Sequence, residues 1–199
     1  MRNLALFDFD GTITSRDTFT PFILHAVEPL RMAIGKVVLS SLIVAYKLGF
    51  LSASRMRRSV VHVGLRGRRY EDVRVLGRDY ARRALSLVVR PKALERIRWH
   101  QSHGDLVVVV SASLDVYLTD WCREVGVELI CTELEQRLGV LTGRYRDGDC
   151  SGPEKARRVR QRYDLGSYGT IYAYGDTVED EAMLALANQP FYRWRELHD

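Results

Sequence analysis

Short β-branched runs that end in carboxylate or hydroxyl clusters, with helical periods between them, constrain this chain more than any other feature. Leu4 to Phe9 is an apolar run interrupted by Asp8 and followed by Asp10-Gly-Thr12, which predicts a buried strand running into a polar loop. Leu106-Val-Val-Val-Val110 predicts a second strand, closed by Ser111-Ala-Ser113. Glu128 to Thr132 predicts a third, and Thr170 to Tyr174 a fourth that ends at Gly175-Asp176. Helical patterns fill the intervals: Lys92 to His103 stopped by Gly104, Leu114 to Val125 stopped by Gly126, a basic helix from Pro153 through Tyr163, and a helix from about Glu179 to Asn188. Parallel neighbours need a crossover, so this β-α-β rhythm predicts an α/β fold with a central parallel sheet flanked by helices. Glu133 to Tyr145, with Gly139 and Gly143, reads as a hairpin, and a short tail carries Phe191-Tyr-Arg-Trp194.

Between the first and second strands the pattern changes. From Thr18 to about Val89 the periodicity is helical, with breaks expected at Gly49, Gly64 and Gly67. The expected organisation is therefore a core formed by residues 1–15 and 90–199, carrying a helical insert over 16–89. Within the insert, Val37 to Leu51 is apolar enough to resemble a membrane span. Lys36 and Lys47 bracket only about ten uninterrupted apolar or small residues, whereas a span needs about 20. A buried helix, or one lying on a bilayer surface, is expected instead.

The net charge of +5 is unevenly spread. From Ser52 to Arg90, eleven arginines face only Glu71, Asp72 and Asp79, a stretch able to meet an anionic substrate, an anionic lipid surface or nucleic acid, or simply to form a solvated helical face. Three cysteines without a C-x-x-C pair favour neither a disulfide framework nor a thiolate zinc site, and fit a reducing compartment. The N-terminus runs straight into Leu4 to Asp8 without the pattern of a secretory signal. The expectation is a cytoplasmic protein, with peripheral contact at the inner face of a membrane left open.

The strand ends gather one chemical set. Asp8 and Asp10, Ser111, Lys155 near a helix start, and Asp176 with Asp180 all fall where open parallel sheets bind ligands, outside the carboxyl ends of the strands. Carboxylates can hold a hard divalent cation, a hydroxyl and loop amides can bind phosphate oxygens, and an ammonium can balance the remaining anionic charge. Asp8 and Asp10 share a face in an extended segment, and Lys155 is one of only four lysines among thirty basic residues. The plainer readings are a polar Asp-Gly turn for Asp8 and Asp10, a surface lysine for Lys155, and a helix-start acid for Asp180. Ser111 can cap the following helix as well as bind phosphate, and Ser113 reads as a cap alone. His100 and His103, like His25 and His62, read as surface residues because no acid or third histidine accompanies them.

Asp8-Phe-Asp-Gly-Thr12, Val110-Ser-Ala-Ser113, Lys155 and Gly175-Asp-Thr-Val-Glu-Asp180 occur in an order that resembles the four motifs of the haloacid dehalogenase superfamily, specifically its subfamily IB, whose members look like phosphoserine phosphatase. The resemblance implies a Rossmann-like core with a C1-type helical cap inserted after the first strand. It also implies a Mg²⁺-dependent phosphomonoester hydrolase in which Asp8 forms an aspartyl-phosphate and Asp10 serves as acid and then base. By the same resemblance Mg²⁺ is bound by Asp8, the Asp10 carbonyl and Asp176, with Asp180 supporting from the edge. Ser111, Ala112 and Gly11 meet the phosphoryl group, and Lys155 bridges Asp8 and phosphate. Dehalogenases of the superfamily lack the second acid and its P-type ATPases carry Thr there, so Asp10 points to a phosphatase.

For the substrate, Gly11 and Asp17 stand where phosphoserine phosphatases usually carry Ser and Glu. Ala45-Tyr-Lys-Leu-Gly49, the arginine-rich stretch and Phe191-Tyr-Arg-Trp194 look more like the branch that includes phosphatidylglycerophosphatase C. A phosphorylated small molecule and a lipid phosphate are both compatible. The alternatives from other classes are a phosphoacceptor signalling module, opposed by the order of the strands, and a basic membrane-binding or nucleic-acid-binding module. No nucleic-acid partner is expected.

Overall fold

The computed structural model describes residues 1–197. In chain order its elements are β1 (Leu4–Phe7), α1 (Phe19–Ala26), α2 (Pro29–Val38), α3 (Ser40–Lys47), α4 (Ala53–Leu65) and α5 (Tyr70–Arg83). Then follow α6 (Pro91–Ser102), β2 (Leu106–Leu114), α7 (Asp115–Val125), β3 (Glu128–Thr132), β4 (Leu134–Arg137) and β5 (Val140–Tyr145). The last are α8 (Pro153–Arg162), β6 (Ile171–Gly175), α9 (Glu181–Leu184), β7 (Gln189–Tyr192) and β8 (Arg195–Glu196).

One six-stranded sheet has the order β3-β2-β1-β6-β7-β8, parallel throughout except at the β7–β8 edge, and β4 and β5 form a separate antiparallel pair. β1 lies in the middle, and all four of its residues are buried, as an apolar strand covered on both faces must be. One apolar layer gathers Ala5, Phe7 and Val109 with residues of α1, α5 and α7; the opposite one gathers Leu4, Leu6 and Val108 with residues of α8 and α9.

The helical segment leaves and rejoins the sheet at a single place. Thr14 and Val89 form an isolated antiparallel bridge, and the Arg90 amide donates to the Ile13 carbonyl at 2.9 Å. Gly49 and Gly67 lie between helices with φ of +80° and +78°, the left-handed region that suits glycine. Gly64 does not break a helix: it is buried inside α4, where a Cβ would come within 2.8 Å of Val27 Cγ2.

Several sequence expectations are corrected. β2 continues to Leu114 instead of ending at Val110, because Ser111 and Leu114 still pair with β3. The long helix expected from Glu179 shrinks to a 3₁₀ turn over Val178–Asp180 and the four residues of α9. The aromatic tail is structural: β7 extends the parallel sheet and Phe191 stacks on Tyr174 with ring centroids 4.7 Å apart. The segment from Val37 to Leu51 is no buried helix; Val37, Val38, Val44 and Leu48 are exposed. No single helix among the described residues is long and apolar enough to cross a membrane.

Candidate active site

β1 delivers Asp8 to its carboxyl end, where the chain turns through Phe9–Ile13. Gly11 is fixed here twice over: its φ is +84°, and a Cβ would lie 2.2 Å from Asp176 Oδ2. That close approach lets the loop after β1 pack on the loop after β6, and Thr12 Oγ1 donates to Asp176 Oδ1 at 3.2 Å. Asp176 follows the last residue of β6, so the central pair of parallel strands carries both acids to one end of the sheet.

Lys155, in the first turns of α8, is fully buried and donates to Asp8 Oδ1 at 2.5 Å and to Asp180 Oδ1 at 2.6 Å. Burial alone would lower its pKa, but the charges of Asp8 and Asp180 overcome that and hold it well above the usual lysine range. Asp180 is drawn in from its turn because its Oδ2 accepts the backbone amides of Asp176 and Thr177, each at 3.0 Å. Burial pushes its carboxyl up, yet Lys155 and these amides bring it below the ordinary value. Asp8 moves the other way: burial raises it well above the ordinary carboxyl range against the pull of Lys155, and the charge of Asp180 adds to the rise. Its Oδ2 receives no hydrogen bond among the described residues and is not enclosed, since Asp8 lines the open cleft.

Asp10 faces a different group of donors. Its Oδ1 accepts the Thr18 amide at 2.7 Å and the Thr18 hydroxyl at 2.6 Å, while Oδ2 accepts the Ser113 hydroxyl. Burial nevertheless pushes its carboxyl up to about 6. Ser113 reaches it because of an irregularity in β2: Ser111 and Leu114 pair with the consecutive residues Cys131 and Thr132, so Ala112 and Ser113 are extra and bulge toward the cleft. Ser113 is therefore a partner of Asp10 and not the cap expected from the sequence. Neither serine caps α7, whose N-cap residue is Leu114, with no side-chain cap; the Ser111 hydroxyl instead accepts the Ser113 amide at 3.0 Å.

Asp8, Asp10, Gly11, Ser111, Ala112, Lys155, Asp176 and Asp180 thus line one cleft of about 950 Å³. Carboxylate oxygens of Asp8, Asp176 and Asp180 lie within 4.8 Å of one another; the Asp10 carboxylate is turned away toward Thr18. Hard oxygen donors from three carboxyl groups and a single ammonium bonded within the group suit a divalent cation such as Mg²⁺. The residues present fit that ion.

Sequence reasoning missed Thr12, Thr18 and Ser113. The signal for two of them was present in the hydroxyls of Asp10-Gly-Thr12 and Ser111-Ala-Ser113, but nothing local marks Thr18. His100 is a correction of another kind: it is fully buried, with Nδ1 2.8 Å from Asp105 Oδ2 and Nε2 2.9 Å from the Tyr174 hydroxyl. Its acid partner lies beyond the helix end, at the start of the next strand. His25, His62 and His103 are exposed.

A parallel α/β core whose central strand presents a carboxylate paired with a buried ammonium, opposite a second acidic loop, defines an enzyme core. The chain belongs to the family of haloacid dehalogenase-like hydrolases, whose sequence pattern matches residues 5–185. Protein CicA of Caulobacter vibrioides is 30% identical over 196 residues, covering 96% of this chain and 85% of that protein. A crystal structure of a protein with unknown function from Bordetella pertussis Tohama I superposes with a TM-score of 0.79 at 24% identity, covering 96% of this chain and 90% of the other. The structure of a substrate-bound phosphoserine phosphatase complex gives 0.66 at 22% identity, covering 95% and 84%.

Proposed function

We propose that this phosphoric monoester hydrolase uses Asp8 as a nucleophile and depends on Mg²⁺. The observation that carries the reading is the Asp8 carboxylate, gripped through Oδ1 by Lys155 while Oδ2 faces the cleft. Oδ2 attacks phosphorus, the bond from phosphorus to the leaving oxygen breaks, and Asp10 passes its proton to that oxygen. Water then attacks the phosphorus of the aspartyl-phosphate, Asp10 takes the proton, and inorganic phosphate leaves with Asp8 restored. A pKa near 6 suits Asp10 to both directions of transfer. Lys155 holds Asp8 in place and offsets phosphate charge, and Ser111, Ala112 and Gly11 line the space for the phosphoryl oxygens. Asp8, the Asp10 carbonyl and Asp176 would hold the ion, with Asp180 steadying Lys155 and the loop after β6; when bound, the ion offsets the repulsion between carboxylate and phosphate.

Residues 16–89 act as a cap over the core 1–15 and 90–199 in this reading. For the substrate, a phosphate ester with an apolar portion is favoured over phosphoserine. The cleft continues from the acids between α1, α2, α3 and α4 along Ile23, Met32, Ile43, Met56 and Val60. Asp17 meanwhile accepts the amides of Phe19 and Thr20, which occupies the acid closest to an amine-binding position. A lipid phosphate such as phosphatidylglycerophosphate satisfies this lining, and a cytoplasmic site facing a membrane would supply it. Free, buried thiols at Cys122, Cys131 and Cys150 agree with a reducing compartment.

Turnover of a soluble aryl phosphate tests the chemistry. Activity is expected with Mg²⁺, to vanish with EDTA, and to drop by about 10³-fold or more in Asp8→Asn. Undiminished turnover by Asp8→Asn would remove Asp8 as the nucleophile.

A further inference from the structure

On α2, Leu30, Ile34, Val37 and Val38 recur at the spacing of one helical face, and all four are exposed, Leu30 at 73% and Val37 at 75%. Leu48 and Phe50, in the turn after α3, are exposed as well, with Phe50 at 82%. Elsewhere the exposed apolar residues are scattered along the chain and carry no such pattern. A surface of this kind is costly in water unless something covers it.

We propose that the α2–α3 pair docks the protein on an anionic bilayer, lying in its surface without crossing it. The charges select this occupant. From Pro29 to Ser52 there is no aspartate or glutamate, whereas Lys36 of α2 and Lys47 of α3 are exposed and line the cleft that holds Asp8; Arg31, also in the cleft wall, donates to the Arg66 carbonyl. Anionic headgroups answer that excess, and lysine stems bury their methylenes while keeping the ammonium in water. A second copy of the chain in a two-fold contact would bring the same two exposed lysines together with no carboxylate from the patch between them. Neither helix can cross alone, with ten residues in α2 and eight in α3; together they have the length and composition of a broken span, but the 63° bend between their axes favours lying in the surface. Leu39, Ile43 and Tyr46 of the same pair wall the cleft that holds Asp8, so docking would set the cleft beside the lipid. The docking itself does not depend on the phosphatase reading.

Sedimentation of the full chain with vesicles of phosphatidylglycerol and phosphatidylcholine in equal parts, against phosphatidylcholine alone, tests this at low and high salt. Binding is expected to the anionic vesicles and to weaken with salt. The double change Val37→Asp, Phe50→Asp should lower the bound-to-free ratio about tenfold or more, and Leu30→Asp, Val38→Asp should do the same. Both variants should keep wild-type hydrolysis of a soluble aryl phosphate, which shows that they are folded. Failure of the wild type to bind anionic vesicles, or unchanged binding by both variants, overturns the proposal. So does a wild-type dimer that ignores vesicles and becomes monomeric in either variant, which would make the face a self-interface. A wild type that binds vesicles but hydrolyses no aryl phosphate refutes the phosphatase reading and leaves the docking intact; light scattering of the variants then reports their fold.

Discussion

Asp10 accepts three hydrogen bonds and still has its carboxyl pushed up to about 6, because burial outweighs the donors. The Ser113 hydroxyl favours the ionised form, so Ser113→Ala removes a stabilising donor and must raise the Asp10 pKa further. In the proposed mechanism Asp10 must be protonated to donate to the leaving oxygen, so kcat/KM is expected to fall as pH rises through its ionisation. In Ser113→Ala that fall is expected at higher pH than in the wild type, in profiles of aryl phosphate hydrolysis; an unmoved or lowered limb would remove Ser113 as its modulator. At this scale Asp8, Asp10 and Asp176 were legible because charged side chains at the ends of apolar strands are costly unless they meet partners, and Lys155, near a helix start, stood out as one of only four lysines. Ser113 was not, because its direction depends on two extra residues in β2, a register that only the neighbouring β3 defines.

Gly77 sits inside α5, where alanine would ordinarily stabilise the helix by about 1 kcal/mol. Here α5 crosses α7 so closely that a Cβ would stand 2.1 Å from the Val116 carbonyl oxygen. Gly77→Ala is therefore expected to destabilise by about 1–3 kcal/mol in urea unfolding, reversing the propensity sign. Helices and strands with a clear period were readable one by one, while their ends and contacts were not. The last helix was read too long: its pattern runs to about Asn188, whereas α9 ends at Leu184 and the chain turns there to set β7 beside β6, a pairing that no local pattern reports. Gly64 looked like a break and is a contact with Val27, which no local pattern distinguishes.

Across the whole molecule, the proposed ion joins distant parts of the chain, since Asp8 lies near its start and Asp176 and Asp180 near its end. An ion held only by the folded state stabilises it by mass action, about 2.7 kcal/mol at a hundred times its Kd. Adding Mg²⁺ to EDTA-treated protein should raise Tm, and Asp176→Asn should abolish most of the rise; an equal rise in that variant would place the ion elsewhere. The amino-acid order by itself determined the parallel α/β plan, the helical segment after the first strand and the acids at the carboxyl ends of the strands, because apolar periodicity and strand-end charge are local properties. Tertiary structure alone decided which hydroxyls serve Asp10, that His100 is buried against Asp105 and Tyr174, and that α2 and α3 leave their apolar residues in water. Those outcomes depend on which surfaces meet, and periodicity reports that a face is apolar without reporting what covers it.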